Sequence, residues 1–134
     1  MRWGARDMSE GPAHPLYDLQ FEHFPDHLYV CVKVAKLSEA AVMGYLREVA
    51  DEARQGKYKR VLIARDIQAS LPDMVNYRIS QATLDWFKGV KMAWVNPYPE
   101  QTASIQFFTD VASNRGGNYR LFPDVEAARK WLLR

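Results

Sequence analysis

Hydrophobic and polar side chains alternate strictly at residues 17–22, and aliphatic residues recur at every second position of 28–34; a period of two is typical of β-strands. The polar stretch 23–27 interrupts the alternation, so the pattern predicts two strands joined by a turn. A connection this short favours an antiparallel hairpin. The first strand keeps one fully polar face, which places it near the edge of a sheet.

After residue 37 the hydrophobic spacing lengthens to the three-to-four-residue period of amphipathic helices, interrupted by short apolar runs. Four helices are predicted, at about 38–56, 72–89, 100–113 and 124–134. The apolar runs between them predict three further strands, at 61–64, 92–95 and 119–122. Strands that alternate with helices require right-handed crossovers, so the element order ββαβαβαβα indicates that the later strands are parallel.

The strand and helix between Tyr119 and Arg134 give the clearest local pattern in the chain. Asp124 is a favourable N-cap, and Glu126 lies in the first helical turn, where a negative charge complements the helix dipole. The apolar stripe of this helix is predicted to contain Val125, Ala128, Trp131 and Leu132. Because cap, charge and stripe agree, a helix that packs against the last strand is expected.

This ending and the element order together resemble a known family. The stretch 122–132 follows the pattern Phe-x-Asp-apolar-Glu-x-Ala-x-x-Trp-Leu, which is common at the ends of SpoIIAA-like (STAS-like) proteins. The resemblance implies an α/β, STAS/SpoIIAA-like mixed five-stranded sheet with helices packed on it. It also implies a small interaction or ligand-sensing module that is not an enzyme.

One stretch departs from the pattern of that family. Its anti-sigma-factor antagonists carry an Asp-Ser-Ser-Gly signature, with a phosphorylated serine, at the start of the helix after the central strand. Here the corresponding stretch, 66–75, has no Ser-Gly pair, and Ser70 is its nearest hydroxyl. The resemblance therefore supports the fold, and the phosphorylation switch is not carried over to this chain.

Length and composition are those of one folded domain. The chain has 134 residues, of which 48% are hydrophobic and 25% charged, with a net charge of +2 and a single cysteine, Cys31. One cysteine allows no internal disulfide, and so small a charge does not predict binding to nucleic acid. No apolar run is long enough to span a membrane, and residues 1–7 lack the apolar core of a signal peptide. We expect a cytoplasmic protein with a flexible tail at 1–15 and one domain at 16–134.

Ligands of open parallel sheets usually bind beyond the carboxyl ends of the strands. At that edge the prediction places seven polar side chains: Lys36, Asp66, Gln68, Ser70, Asn96, Tyr98 and Asp124. Asp66 and Ser70 could hold a ligand by hydrogen bonds beside the free N–H groups of the second helix. The alternative is that they satisfy only turn and cap groups of the backbone.

The second predicted helix carries more apolar surface than one sheet face should cover. Its core stripe is predicted to be Val75, Ile79, Ala82 and Trp86, and the surplus is Met74, Tyr77, Leu84 and Phe87. The leading hypothesis is a contact surface of a non-catalytic protein-interaction module that forms a homodimer. The alternative is a pocket for a small apolar ligand or lipid between the second and third helices, lined by Met74, Tyr77, Trp86 and Phe108.

The histidine turn, Cys31 and the basic run 57–60 are each interpreted as structural features. His23, Asp26 and His27 lie in one turn and are interpreted as surface residues without a fourth metal ligand. Cys31 is predicted to be a small buried residue, and the basic run 57–60 a set of charges that guards the apolar strand after it from aggregation. The sequence contains no nucleotide-binding or nucleophile motif. We therefore expect no catalytic residue, no cofactor and no metal.

Overall fold

The computed structural model describes residues 16–134, and the tail predicted at 1–15 lies outside the described residues. Five strands form one sheet in the order β1-β2-β3-β4-β5. They are β1 Asp18–His23, β2 Leu28–Lys33, β3 Arg60–Asp66, β4 Lys91–Val95 and β5 Asn118–Phe122. β1 is antiparallel to β2, and every later pair is parallel, so the predicted hairpin and the predicted parallel strands are both confirmed.

Four helices connect and follow these strands: α1 Glu39–Gln55, α2 Asp73–Thr83, α3 Thr102–Asn114 and α4 Val125–Leu133. A 3₁₀ turn at Leu84–Phe87 continues α2, and another at Pro99–Gln101 precedes α3. Each right-handed crossover moves the chain by one strand in the same direction, so α1, α2 and α3 cover the same face of the sheet. α4 follows the last strand and packs against β3 and β4 on the opposite face.

The sheet therefore separates two cores of unequal size. The larger core lies under α1, α2 and α3 and includes Val61 and Ile63 of β3. The smaller core lies under α4 and includes Leu62, the residue between them. All three side chains are fully buried, which confirms that the apolar run at 61–64 is a central strand covered on both faces.

The helix starts follow the predicted caps. The Ser38 hydroxyl accepts a hydrogen bond from the Ala41 N–H at 3.1 Å, and the Asp124 carboxylate accepts one from the Ala127 N–H at 2.8 Å. Each cap satisfies one backbone donor that the first helical turn would leave free. The predicted caps of α1 and α4 are thus confirmed, whereas α4 packs mainly on β3 and β4 and less on the last strand.

The predicted core stripe of α2 is correct for Ile79, Val75 and Trp86, which pack into or against the large core, and wrong for Ala82. The helix buries Asn76, Ile79, Ser80 and Thr83, while Ala82 is exposed. Polar side chains reach this face because neighbouring carbonyls satisfy two of them: Asn76 Nδ2 donates to the Leu71 carbonyl and Thr83 Oγ1 to the Ile79 carbonyl. A pattern that counts only apolar residues therefore misses the polar part of the buried face of this helix.

Candidate functional site

The carboxyl end of β3 carries an exposed polar network. Tyr98 OH donates a short hydrogen bond to Asp66 Oδ1, and Lys33 Nζ lies 4.0 Å from Asp66 Oδ2. The hydrogen bond to Asp66, together with that carboxylate's charge and partial desolvation, raises the pKa of Tyr98. Asp66 and Tyr98, both predicted for this edge, thus lie together.

Asn96 links this network to the interior of the protein. Its side chain is buried, and Nδ2 donates to the Tyr98 carbonyl at 2.9 Å. Its Oδ1 accepts a hydrogen bond of 3.4 Å from Nη1 of Arg65. The predicted residue Asn96 therefore holds the loop after β4 and contacts an arginine that was not predicted as a site residue.

Arg65 is the main feature that the sequence reasoning missed. Arg65 is 4% exposed. Its side chain lies on the face of β3 that α1, α2 and α3 cover, the same face as the side chains of Val61 and Ile63. Among residues 16–134, no carboxylate oxygen lies within 4.0 Å of it. The signal was available, because a charge occupies an inward position of an otherwise apolar strand.

A cavity of about 30 Å³ adjoins this arginine, between the sheet and helices α1, α2 and α3. Its apolar wall includes Leu46, Ile79, Ile105 and Phe108, and its polar lining includes Arg65, Ser70 and Asn76. Trp94 completes the wall, and its buried indole N–H has no hydrogen-bond partner within the described chain. The cavity is thus apolar except for a few hydrogen-bond donors and acceptors beside one buried cation.

The second-helix surface differs from its prediction. Phe87 is 3% exposed, and Leu84 is half-buried against the large core, so neither belongs to a free apolar surface. Tyr77 is half-buried, and its hydroxyl accepts a hydrogen bond of 2.8 Å from Arg115 Nη2. Met74 remains, with 70% of its surface exposed. The predicted apolar surplus therefore reduces to one methionine at the start of α2.

The predicted lining of the ligand pocket is also largely wrong. Of its four residues only Phe108 lines the cavity. Trp86 lies beneath the Arg47 guanidinium, 5.0 Å from its ring centre, while Met74 and Tyr77 face other surroundings. The part of α2 that lines the cavity is instead polar Asn76 and apolar Ile79.

The histidine turn divides into two separate contacts. His23 hydrogen-bonds to Tyr58 OH and to Glu52 Oε2, whereas His27 bonds to Asp26 Oδ1 at 2.7 Å. Arg129 Nε lies 3.3 Å from the other ring nitrogen of His27. His27 is 2% exposed, so its interpretation as a surface residue is wrong. Residues 16–134 contain no group of side chains spaced to hold a metal ion.

Cys31 is half-buried on β2, less enclosed than predicted. Burial raises the pKa of its thiol to about 11, so the unreactive thiol form dominates at neutral pH. Its surroundings give no sign of an activated nucleophile, which agrees with its interpretation as a packing residue.

The opposite, amino end of the parallel strands forms a broad basic cleft of about 710 Å³. Three turns that are distant in sequence supply its cations: Lys59, Arg60, Lys88, Lys91 and Arg115. Asp85 also lines the cleft. The basic run 57–60 is thus one part of a larger charged surface that only the fold assembles.

Comparisons with known proteins identify the class of fold. RsbS from Moorella thermoacetica, in a serine-to-glutamate variant, matches with a TM-score of 0.53 and 15% identity over 85% of this chain and 93% of that chain. An uncharacterised DUF3478 protein with a SpoIIAA-like fold, from Shewanella loihica, matches with a TM-score of 0.50 and 20% identity over 91% and 99%. No protein-family model and no curated protein matches the sequence.

The chain therefore has the SpoIIAA-like (STAS) fold, which confirms the fold that the resemblance implied. Identities this low show the fold alone, since one fold serves many functions. Within the described residues, no helix is both long and apolar enough to cross a membrane.

Proposed function

We propose that the protein is a non-catalytic, STAS-like regulatory module that acts through protein contact. The contact surface is the β3–α2 loop together with the first turns of α2, and we name it the α2 surface. It comprises Asp66, Gln68, Ser70, Met74 and Tyr77. The observation that carries the proposal is the 70% exposure of Met74, which belongs to this surface.

The composition of the α2 surface suits a protein interface. Met74 and Leu16 are the two large hydrophobic side chains that are exposed among residues 16–134. The exposed residues of the loop and first turn include polar Ser70 and Asp73 as well as Pro72. An apolar centre with a polar rim is the usual anatomy of a protein contact, and methionine adapts its shape to a partner.

The partner that we propose is a second copy of this chain. A two-fold dimer brings the same patch of both copies together, so one exposed methionine would pack against its counterpart. The bidentate Arg78–Glu39 ion pair, with its shorter N–O distance of 2.7 Å, stands beside this surface and would hold α2 against α1 in each copy.

A non-catalytic role rests on the surroundings of Ser70 and Asp66. Asp66 is occupied by Tyr98, and no hydrogen bond in the described chain joins Ser70 to a base. A lipid carrier is not proposed, because a cavity of about 30 Å³ is far below the several hundred Å³ that ligands of that size occupy. The cytoplasmic location stays a prediction, based on the single cysteine.

Sedimentation velocity on two matched variants tests the dimer. Met74→Asp and Ala103→Asp each add a carboxylate at the second residue of a helix, α2 or α3, and both sites are exposed. We expect a wild-type dimer at tens of micromolar, unchanged by Ala103→Asp and weakened at least about tenfold by Met74→Asp, since a charge would be buried at the contact. A wild-type monomer at that concentration removes the dimer, and equal effects of the two variants remove the α2 surface.

A further inference from the structure

Arg65 is a buried cation without a counter-ion among residues 16–134. It donates a hydrogen bond to Asn96 Oδ1, and it interacts electrostatically with Tyr45; both are neutral groups. Buried charges in proteins are normally paired, because an unpaired charge loses much of its solvation free energy. Arg78 on the surface, with its Glu39 partner, shows the arrangement that Arg65 lacks.

Trp94 supplies a second unused donor at the same place. Trp94 is 2% exposed, and its indole N–H has no hydrogen-bond partner within the described residues. β3 and β4 are neighbours, with Ile63 opposite Trp94, so Arg65 and Trp94 point from adjacent strands to the same face of the sheet. Both side chains line the cavity of about 30 Å³.

We propose that this cavity binds a small carboxylate, no larger than acetate, with its oxygens on Arg65 and Trp94. A guanidinium donates two parallel N–H bonds to a carboxylate, and the indole N–H adds a third. The short carbon tail would lie against Ile105 and Phe108. The site goes beyond the proposed protein contact and does not depend on it.

The dimensions limit the ligand to this class. One water needs about 10–15 Å³ of such volume, so about 30 Å³ holds two or three water-sized groups, which limits the anion to about the size of acetate. Ser70 is exposed, and Leu37 and Leu71 are half-buried, so these residues mark the solvent side of the cavity. The ligand would therefore enter between the loops that follow β2 and β3.

The test measures thermal unfolding and calorimetric binding in zwitterionic buffer at pH 7, with sodium acetate replacing sodium gluconate at constant ionic strength. Gluconate is too large for the cavity. We expect acetate to bind at one site and to raise the Tm by about 4–7 °C at a concentration tenfold above its Kd. Phosphate, which is larger and lacks an apolar tail, is expected to give no saturable shift.

Three variants decide whether the cavity is responsible. Arg65→Met removes the cation but keeps an apolar side chain of similar length, so it should fold and lose acetate binding at least about tenfold. Trp94→Phe keeps a ring without the N–H donor and should weaken binding about threefold to tenfold. Arg54→Met is the matched control: it makes the same arginine-to-methionine change at an exposed position of α1. This variant should bind acetate as the wild type does.

Saturable binding that Arg65→Met abolishes and Arg54→Met preserves supports the proposal. The absence of acetate binding to the wild type, or binding that survives in Arg65→Met, would overturn it. Met74→Asp should not change acetate affinity, so failure of this site and failure of the dimer are separate results.

Discussion

The two ends of the parallel strands both carry positive charge, but they place it in opposite environments. At the amino end, the basic cleft spreads five lysine and arginine side chains from three turns around an open volume of about 710 Å³. At the carboxyl end, a single guanidinium, that of Arg65, lies almost fully buried beside a volume of about 30 Å³. Charge count alone would single out the amino end.

Burial leads to a different conclusion. Exposed cations are solvated by water and screened by salt, so each contributes little to stability or to selectivity. A buried cation interacts much more strongly with whatever replaces water, because the surrounding dielectric is low. A selective site for a small ligand is therefore expected where one charge is desolvated. A group of solvent-exposed charges instead forms a broad electrostatic surface.

The largest expected difference between the two ends concerns packing. Phe108 lines the cavity at the carboxyl end and meets Trp94 edge to face at 5.2 Å between ring centres. Phe108→Ala should lower the free energy of unfolding by about 3–5 kcal/mol. Leu84 is half-buried at the basic cleft, so Leu84→Ala should lower the free energy of unfolding by only about 1–2 kcal/mol. Urea unfolding measures both, and equal losses would show that the cavity wall is no better packed than the cleft.

A smaller difference, of opposite sign, concerns the charges themselves. Arg65→Met should raise the free energy of unfolding by about 1–3 kcal/mol in carboxylate-free buffer, because an unpaired buried charge is replaced by an apolar side chain. Lys88→Met in the basic cleft should change it by less than about 0.5 kcal/mol, because Lys88 is exposed. The same urea titrations measure both variants. Destabilisation by Arg65→Met would mean that Asn96 and Tyr45 already compensate the cation.

The smallest expected effect is a pH dependence found at both ends. The hydrogen bond from His27 lowers the pKa of Asp26 at the amino end, and that from Arg78 lowers the pKa of Glu39 at the carboxyl end. A carboxylate with a lowered pKa stabilises the fold above its ordinary pKa and loses that contribution as the pH falls through the folded value. Asp26→Asn and Glu39→Gln should each flatten the loss of stability below pH ~4. An unchanged acid profile in both would contradict the assigned hydrogen bonds.

Much of the fold was predictable because periodicity reports burial directly. The alternation at Leu28, Val30 and Val32 and the apolar run at 61–64 identified strands by the faces that they bury. The caps Ser38 and Asp124 marked helix starts through a local hydrogen bond that any sequence window contains. These features depend on neighbours along the chain, which is why sequence patterns detect them.

The sites depend on neighbours in space, and only part of them was predictable. Asp66, Ser70, Asn96 and Tyr98 were placed at the correct sheet edge, because strand direction alone determines which residues meet there. The buried face of α2 was predicted only in part, because Asn76 and Thr83 are buried with hydrogen bonds to carbonyls that hydrophobicity does not register. Residues of three helices line the cavity, and residues of three separate turns line the cleft, so neither site can be identified from one stretch of sequence.

An NMR titration of the wild-type protein with acetate tests most directly the claim that the carboxyl end holds the selective site. It compares the Trp94 indole N–H at the cavity with the Gly116 and Gly117 amides at the basic cleft. We predict a saturable shift of the indole resonance, as one carboxylate fills the cavity, and only small, non-saturating shifts of the glycine amides. Saturation at Gly116 and Gly117 with a stationary Trp94 resonance would contradict the account and assign anion binding to the basic cleft.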